Sequence, residues 1–188
     1  VHQQTTTLVH VWWYALCVIA VVNLGIWSFS TRSFLKRRIG AVITHRWPHV
    51  LLSAGYVLGC AFRSVLPRAD VQRIVVYDSW LSSVLVGRSV ATIAELCFAA
   101  QWALLLHELS RDTDHRIGSL LARVVFPLIV LAEVFSWYAV LSTSYLGNTL
   151  EQSLWTTTVI LLVVALFPLW RKAEGPLRTF LSTSLVLS

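Results

Sequence analysis

Arg88 and Glu95 stand seven positions apart inside an otherwise apolar stretch, DSWLSSVLVGRSVATIAELCFAAQWALLLHE, at residues 78–108. On a helix rising 1.5 Å per residue they share nearly one face, about 10 Å apart, with Thr92 one turn from each. An ionisable side chain in a membrane-length helix is costly, and it marks an ion path, a binding site or a pair that fixes helix register. Two more charges lie inside apolar runs: Glu133 within 120–141 and Arg63 near the end of 49–66. If successive helices alternate in direction, Arg88 falls roughly 10–15 Å below one membrane surface, and Glu133 and Arg63 fall roughly 10 Å below the same one. The expectation is a buried Arg63/Arg88/Glu133 layer facing the bundle interior. Glu95 lies beneath it, with no basic partner at its own depth. Arg63, Arg88, Thr92, Glu95 and Glu133 are therefore the candidate ligand or ion-path residues.

The histidines offer a weaker chemistry. His45 and His49 have the spacing of a helical metal pair, but Pro48 stands between them. His107 is followed by Glu108, Asp112, Asp114 and His115, too few ligands for a histidine-rich di-iron set, and no two histidines face each other at matched depth for haem. His45, His49 and His107 are weak metal candidates, and no cofactor is expected. Asp112 and Asp114 form a DxD flanked by Arg111 and Arg116, which reads as a solvated, self-neutralising loop. There is no Walker loop, nucleophile elbow or HExxH. Cys17, Cys60 and Cys97 fall inside apolar runs without disulfide or metal spacing and read as small hydrophobes. Lys36, Arg37 and Arg38, interleaved with apolar residues, could hold anionic lipid headgroups at an interface, or they could serve only as a topology signal.

These residues need a scaffold, and composition identifies it. Of 188 residues 56% are hydrophobic and 13% charged, half the charge of an average soluble domain; the mean hydropathy is +0.69. The deficit is concentrated in long apolar runs, which marks an integral membrane protein. The predicted fold is all-α: a polytopic membrane helix bundle forming one transmembrane domain over residues 1–188. It has five complete transmembrane helices at 8–29, 49–66, 79–106, 120–141 and 154–170, and the start of a sixth at 177–188. Residues 67–77 read as a connection, with a helical piece at the interface as one option. The absence of methionine, together with an apolar run continuing to residue 188, suggests part of a longer chain.

Loops 30–48, 107–119 and 171–176, with the residues flanking them, carry most of the Lys and Arg. The positive-inside rule then places them in the cytoplasm and the N-terminus outside. The tryptophans agree, since each falls at or near a predicted span end, where the indole ring is favoured. Gly55 and Gly59 form a GxxxG pair with Arg63 on the same face, and Ser83, Gly87 and Ala91 repeat the small-residue spacing; both faces suit close helix packing in lipid. The net charge of +6 is that of a basic-looped membrane protein, with no indication of nucleic acid. The partners expected are the lipid bilayer and other membrane subunits or a homo-oligomer. A transporter-, channel- or receptor-like protein with an ion or small-solute site leads, a structural or accessory subunit is the alternative, and an intramembrane metal-dependent enzyme comes third.

Overall fold

The computed structural model describes residues 2–36, 47–112 and 116–172. They form helices α1 (His2–Lys36), α2 (Trp47–Val65), α3 (Val84–Asp112), α4 (Arg116–Ser142) and α5 (Tyr145–Lys172). The chain divides into two compact units, Val1–Phe98 and Ala99–Ser188. The all-α expectation holds, and among the described residues four helical segments are long and apolar enough to cross a membrane: Leu8–Ser33, Val84–Arg111, Arg116–Ser142 and Tyr145–Pro168. The 19-residue α2 is not among them, and the segment 177–188 lies outside the described residues.

In the first unit α1 runs antiparallel to α2. The Trp13 indole N–H donates to the Val65 carbonyl at 2.9 Å, and the Trp27 N–H donates to the Ser53 hydroxyl at 3.0 Å. Only 6% of the α1 span is buried, and Val18, Val21, Ile26 and Phe29 point outward. A face so apolar belongs against lipid or another apolar surface. The glycine face of α2 packs on α3. A Cβ at Gly59 would stand 2.5 Å from the Cβ of Ala94, and one at Gly55 would stand 2.6 Å from the Cys97 sulfur. The GxxxG expectation therefore holds. Its counterpart on α3, however, is Val90, Ala94 and Cys97, whereas Gly87 makes room for the Arg68 side chain.

Two sequence expectations are corrected between α2 and α3. The connection is an antiparallel hairpin, with β1 (Arg68–Ala69) paired to β2 (Ile74–Val75), and it carries no helical piece. Its turn closes with Arg73 at φ 55. The third helix also starts later than residue 79: Ser79 caps a 3₁₀ turn at Trp80–Ser82, and α3 begins at Val84.

In the second unit Leu106 and Leu109 of α3 meet Ala122 and Val125 of α4 and Leu162, Ala165 and Leu166 of α5. Between helices in lipid the hydrophobic drive is small, and close contact of this kind is what carries such association. The buried stripe of α4 follows the helical period through Gly118, Ala122, Val125, Ile129, Ala132, Ser136 and Ala139, with Glu133 beside Ala132. The α4–α5 link is a tight cap. Thr143 sits at φ 54, and the Ser144 N–H reaches back to the Ala139 carbonyl at 3.0 Å, the six-to-one bond of a Schellman end. Ser144 then caps α5, its hydroxyl accepting from the Gly147 N–H. This cap starts α5 nine residues before the predicted 154. Residues 145–153, which the predicted spans 120–141 and 154–170 leave between them, are its first turns.

Candidate functional site

Charged side chains in the first unit pair over short sequence distances. An Arg88 guanidinium N–H donates to a Glu95 carboxylate oxygen at 3.2 Å, along the axis of α3. Arg88 is buried and Glu95 partly so, with side-chain exposures of 6% and 28%. The expectation that Glu95 lacks a basic partner is therefore corrected. It compared Cα depths and neglected the reach of an arginine side chain along its own helix. Thr92, half-buried, stands between the two.

Arg63 is likewise corrected, because it bonds to Asp70 in the hairpin at 3.0 Å. The other Asp70 oxygen stands 2.7 Å from Arg68 Nε. Arg68 is the most enclosed of the three, at 3% side-chain exposure. Its alkyl stem covers Gly87 and its guanidinium donates to the Ser82 carbonyl. One carboxylate thus holds two arginines and ties the hairpin to the end of α2, while Arg68 ties it to the start of α3. This network reads as architecture. Arg68 and Asp70 were missed as a site because a Pro67-led connection gives no sign of folding back on α2.

A second feature of this unit is a cavity of about 430 Å³ between α1 and α2. Asn23, Ser30, Tyr56, Cys60 and Ser64 line it among apolar neighbours.

Among the described residues of the second unit two carboxyl groups are buried. Glu133 of α4 and Glu151 of α5 are 4% and 6% exposed, and their carboxylate oxygens lie within 4.8 Å of each other. Glu133 was anticipated from its place in an apolar run. Glu151 was missed because hydropathy put it in a turn; the Ser144 cap is the signal that would have placed it in a helix.

Most hydroxyls here need no such neighbour. In α5, Thr149, Ser153, Thr156, Thr157 and Thr158 each donate to the carbonyl four residues back, at 2.7–3.0 Å. Such bonds hide polar side chains inside the helix's own backbone. Ser110 and Ser136 differ: both are buried, and their hydroxyls have no hydrogen-bond partner among the described residues. Ser110 lines a cleft of about 340 Å³ near the α3–α4 connection, together with His107, Arg111, Arg116, Ser119 and Arg123.

Of the weak metal candidates, His45 lies outside the described residues, His49 is in the first turn of α2, and His107 is exposed on α3. Of the headgroup candidates, Lys36 ends α1, while Arg37 and Arg38 lie outside the described residues. The Asp112/Asp114 loop falls mostly there too. No protein-family model, curated protein or solved structure matches the chain.

Proposed function

We propose that this is a multi-pass membrane protein in which carboxyl groups buried among apolar helices bind or pass a proton or small cation, in the manner of a transporter or channel. The observation that carries this reading is the Glu133–Glu151 neighbourhood. Two carboxyl groups within 4.8 Å in a low-dielectric setting repel unless a proton, a cation or donating groups stand between them. Placing both on facing helices is a costly arrangement of the kind that marks ion paths and proton relays. Glu133 is retained as a residue proposed for the path and Glu151 is added in the second unit; Arg88, Thr92 and Glu95 remain candidate polar residues of the first unit. Arg63 is better explained by Asp70.

The proposed topology treats α2 as a fifth span and 177–188 as the start of a sixth. Loops 30–48, 107–119 and 171–176 face the cytoplasm, as the arginine distribution favours. A second reading, a structural or accessory subunit, draws support from the uncovered apolar face of α1, which suits a neighbouring subunit or a second copy as well as lipid.

Flux separates the two. Purified protein in liposomes carrying a trapped pH-sensitive dye should dissipate an imposed proton, sodium or potassium gradient faster than empty liposomes. Glu133→Gln and Glu151→Gln should each abolish most of the flux while eluting as folded protein, and Arg88→Gln should impair it. Wild-type flux equal to that of empty liposomes for all three ions, or undiminished flux in both glutamine variants, would overturn the reading in favour of the subunit.

A further inference from the structure

The cleft beside the α3–α4 connection is explained neither by the proposed ion path nor by helix packing. His107, Ser110 and Arg111 line it from α3, at spacings of three and four residues. Arg116, Ser119, Leu120 and Arg123 line it from α4, at spacings of three, four and seven. Both sets are single helix faces, so two polar stripes border one space of about 340 Å³. Three guanidinium groups and an imidazole line it with no carboxylate among the lining residues. Among the described residues no ion pair holds Arg111, Arg116 or Arg123.

Three features favour an anion here, two of them charges and the third a hydroxyl without an acceptor. Arg116 opens α4, whose first turn has no acidic residue, and a cation at a helix N-terminus opposes the macrodipole. Arg123 lies two turns into a helix suited to cross the membrane, where a guanidinium without a counter-ion is costly. Ser110, 2% exposed, keeps an unpaired hydroxyl at the cleft, whereas its counterparts in α5 bond to their own backbone. The positive-inside rule accounts for basic residues near this loop. It gives no reason for them to border one cleft with an unsatisfied donor.

We infer that this cleft binds a phosphate-bearing anion. Guanidinium groups meet phosphate oxygens through paired N–H donors. The Ser110 hydroxyl supplies a further donor. The volume exceeds that of one phosphate and falls within the range of small-ligand sites, so it suits a phosphate with a small organic group attached. Two sources share this chemistry: the headgroup of an anionic phospholipid and a soluble phosphate compound. Asp112 and Asp114, in the same loop of the sequence, are the intramolecular competitors for the arginines.

Thermal unfolding of the whole purified protein in neutral detergent, followed by tryptophan fluorescence, tests the site. Inorganic phosphate, dihexanoyl phosphatidic acid, dihexanoyl phosphatidylcholine and chloride at matched ionic strength are titrated separately. A ligand of the native state raises the melting temperature in proportion to its occupancy. Phosphatidic acid is expected to raise it beyond phosphatidylcholine and chloride. If inorganic phosphate does the same the natural ligand is soluble; if the lipid alone acts, it is a headgroup. Arg116→Gln or Arg123→Gln should weaken apparent binding about tenfold each, the effect of losing one charge-assisted contact. Ser110→Ala, which keeps the helix packing, should weaken it about threefold, and it serves where an arginine variant fails to fold. No stabilisation beyond both controls, or equal stabilisation of wild type and variants, would overturn the proposal and leave the arginines to the loop carboxylates.

Discussion

The α2–α3 contact makes a quantitative prediction at Gly59. A methyl added there would lie 2.5 Å from the Ala94 Cβ, with the Val90 carbonyl oxygen at 3.4 Å closing the obvious escape. Carbon atoms rest about 3.5–4.0 Å apart, so the helices must separate by roughly 1 Å, and a gap of that size forfeits up to about half of each contact's attraction. Overpacking typically costs about 1–3 kcal/mol, while alanine returns at most about 1 kcal/mol of helix propensity over glycine. Gly59→Ala should therefore destabilise by about 1–2 kcal/mol. Ala94→Gly removes the obstructing methyl, so in that background Gly59→Ala should be neutral or stabilising, with a coupling of about 1–2 kcal/mol. Gly25 has no atom within 4 Å of its would-be Cβ, and Gly25→Ala is the control, expected to be neutral or stabilising. Unfolding in detergent followed by tryptophan fluorescence gives all four values. The reasoning fails if Gly59→Ala is as stable as Gly25→Ala, or if the double variant is additive within about 0.5 kcal/mol.

The hairpin network predicts a ranking. Asp70→Asn leaves the enclosed Arg68 without its counter-charge but with the Ser82 carbonyl, and should cost about 2–3 kcal/mol, below the range for a fully buried pair. Arg63→Gln, at a side chain 30% exposed, should cost under about 1 kcal/mol. Equal losses in chemical unfolding would show that Arg68 is not the residue Asp70 serves. At the α4–α5 link, Thr143 holds a left-handed conformation that costs an L-residue about 1–2 kcal/mol. Glycine lowers that cost but gains freedom in the unfolded chain. Thr143→Gly should thus raise stability by about 0.5–1 kcal/mol; a lower melting temperature would mean the threonine contributes a contact that outweighs the strain.

What the sequence made legible follows the range of the interactions involved. Apolar runs located the helices because lipid admits little else, and Gly55 and Gly59 located a packing face because only small residues allow such an approach. The hairpin was illegible. Its turn places an arginine, not glycine or asparagine, in the left-handed position, and its strands are two residues each. The Asp70 partner of Arg63 and the Arg88 partner of Glu95 were missed for a common reason. Depth arithmetic looks for partners on other helices, whereas Asp70 and Glu95 each lie seven positions along the chain from the arginine they bind. Glu151 was lost to a boundary drawn by hydropathy, since Asn148, Thr149, Glu151, Gln152 and Ser153 make the first turns of α5 look like a loop. Thr149 and Ser153 donate to their own helix backbone, so their polarity has no bearing on where the helix begins.

That local satisfaction sharpens the case for Glu133 and Glu151. The α5 hydroxyls close on their own helix, Arg88 binds Glu95 within α3, and Arg63, Arg68 and Asp70 fall within eight positions of one another. Each of these contacts joins residues close in sequence, which is the least costly way to carry polar groups in an apolar setting. Glu133 and Glu151 depart from the pattern, being eighteen positions apart on two helices. Those helices are already joined by the Thr143–Ser144 caps and by close contact of Gly147 with Ala139, where a Cβ would stand 3.0 Å from the Ala139 Cα and Cβ. Helix register at this junction is thus set without the carboxyls. A purely architectural role would be served better by apolar residues of similar size, because burying ionisable groups rarely adds net stability. What an apolar pair could not do is take up and release a positively charged species, and that difference is why the flux of the glutamine variants is the measurement to make first.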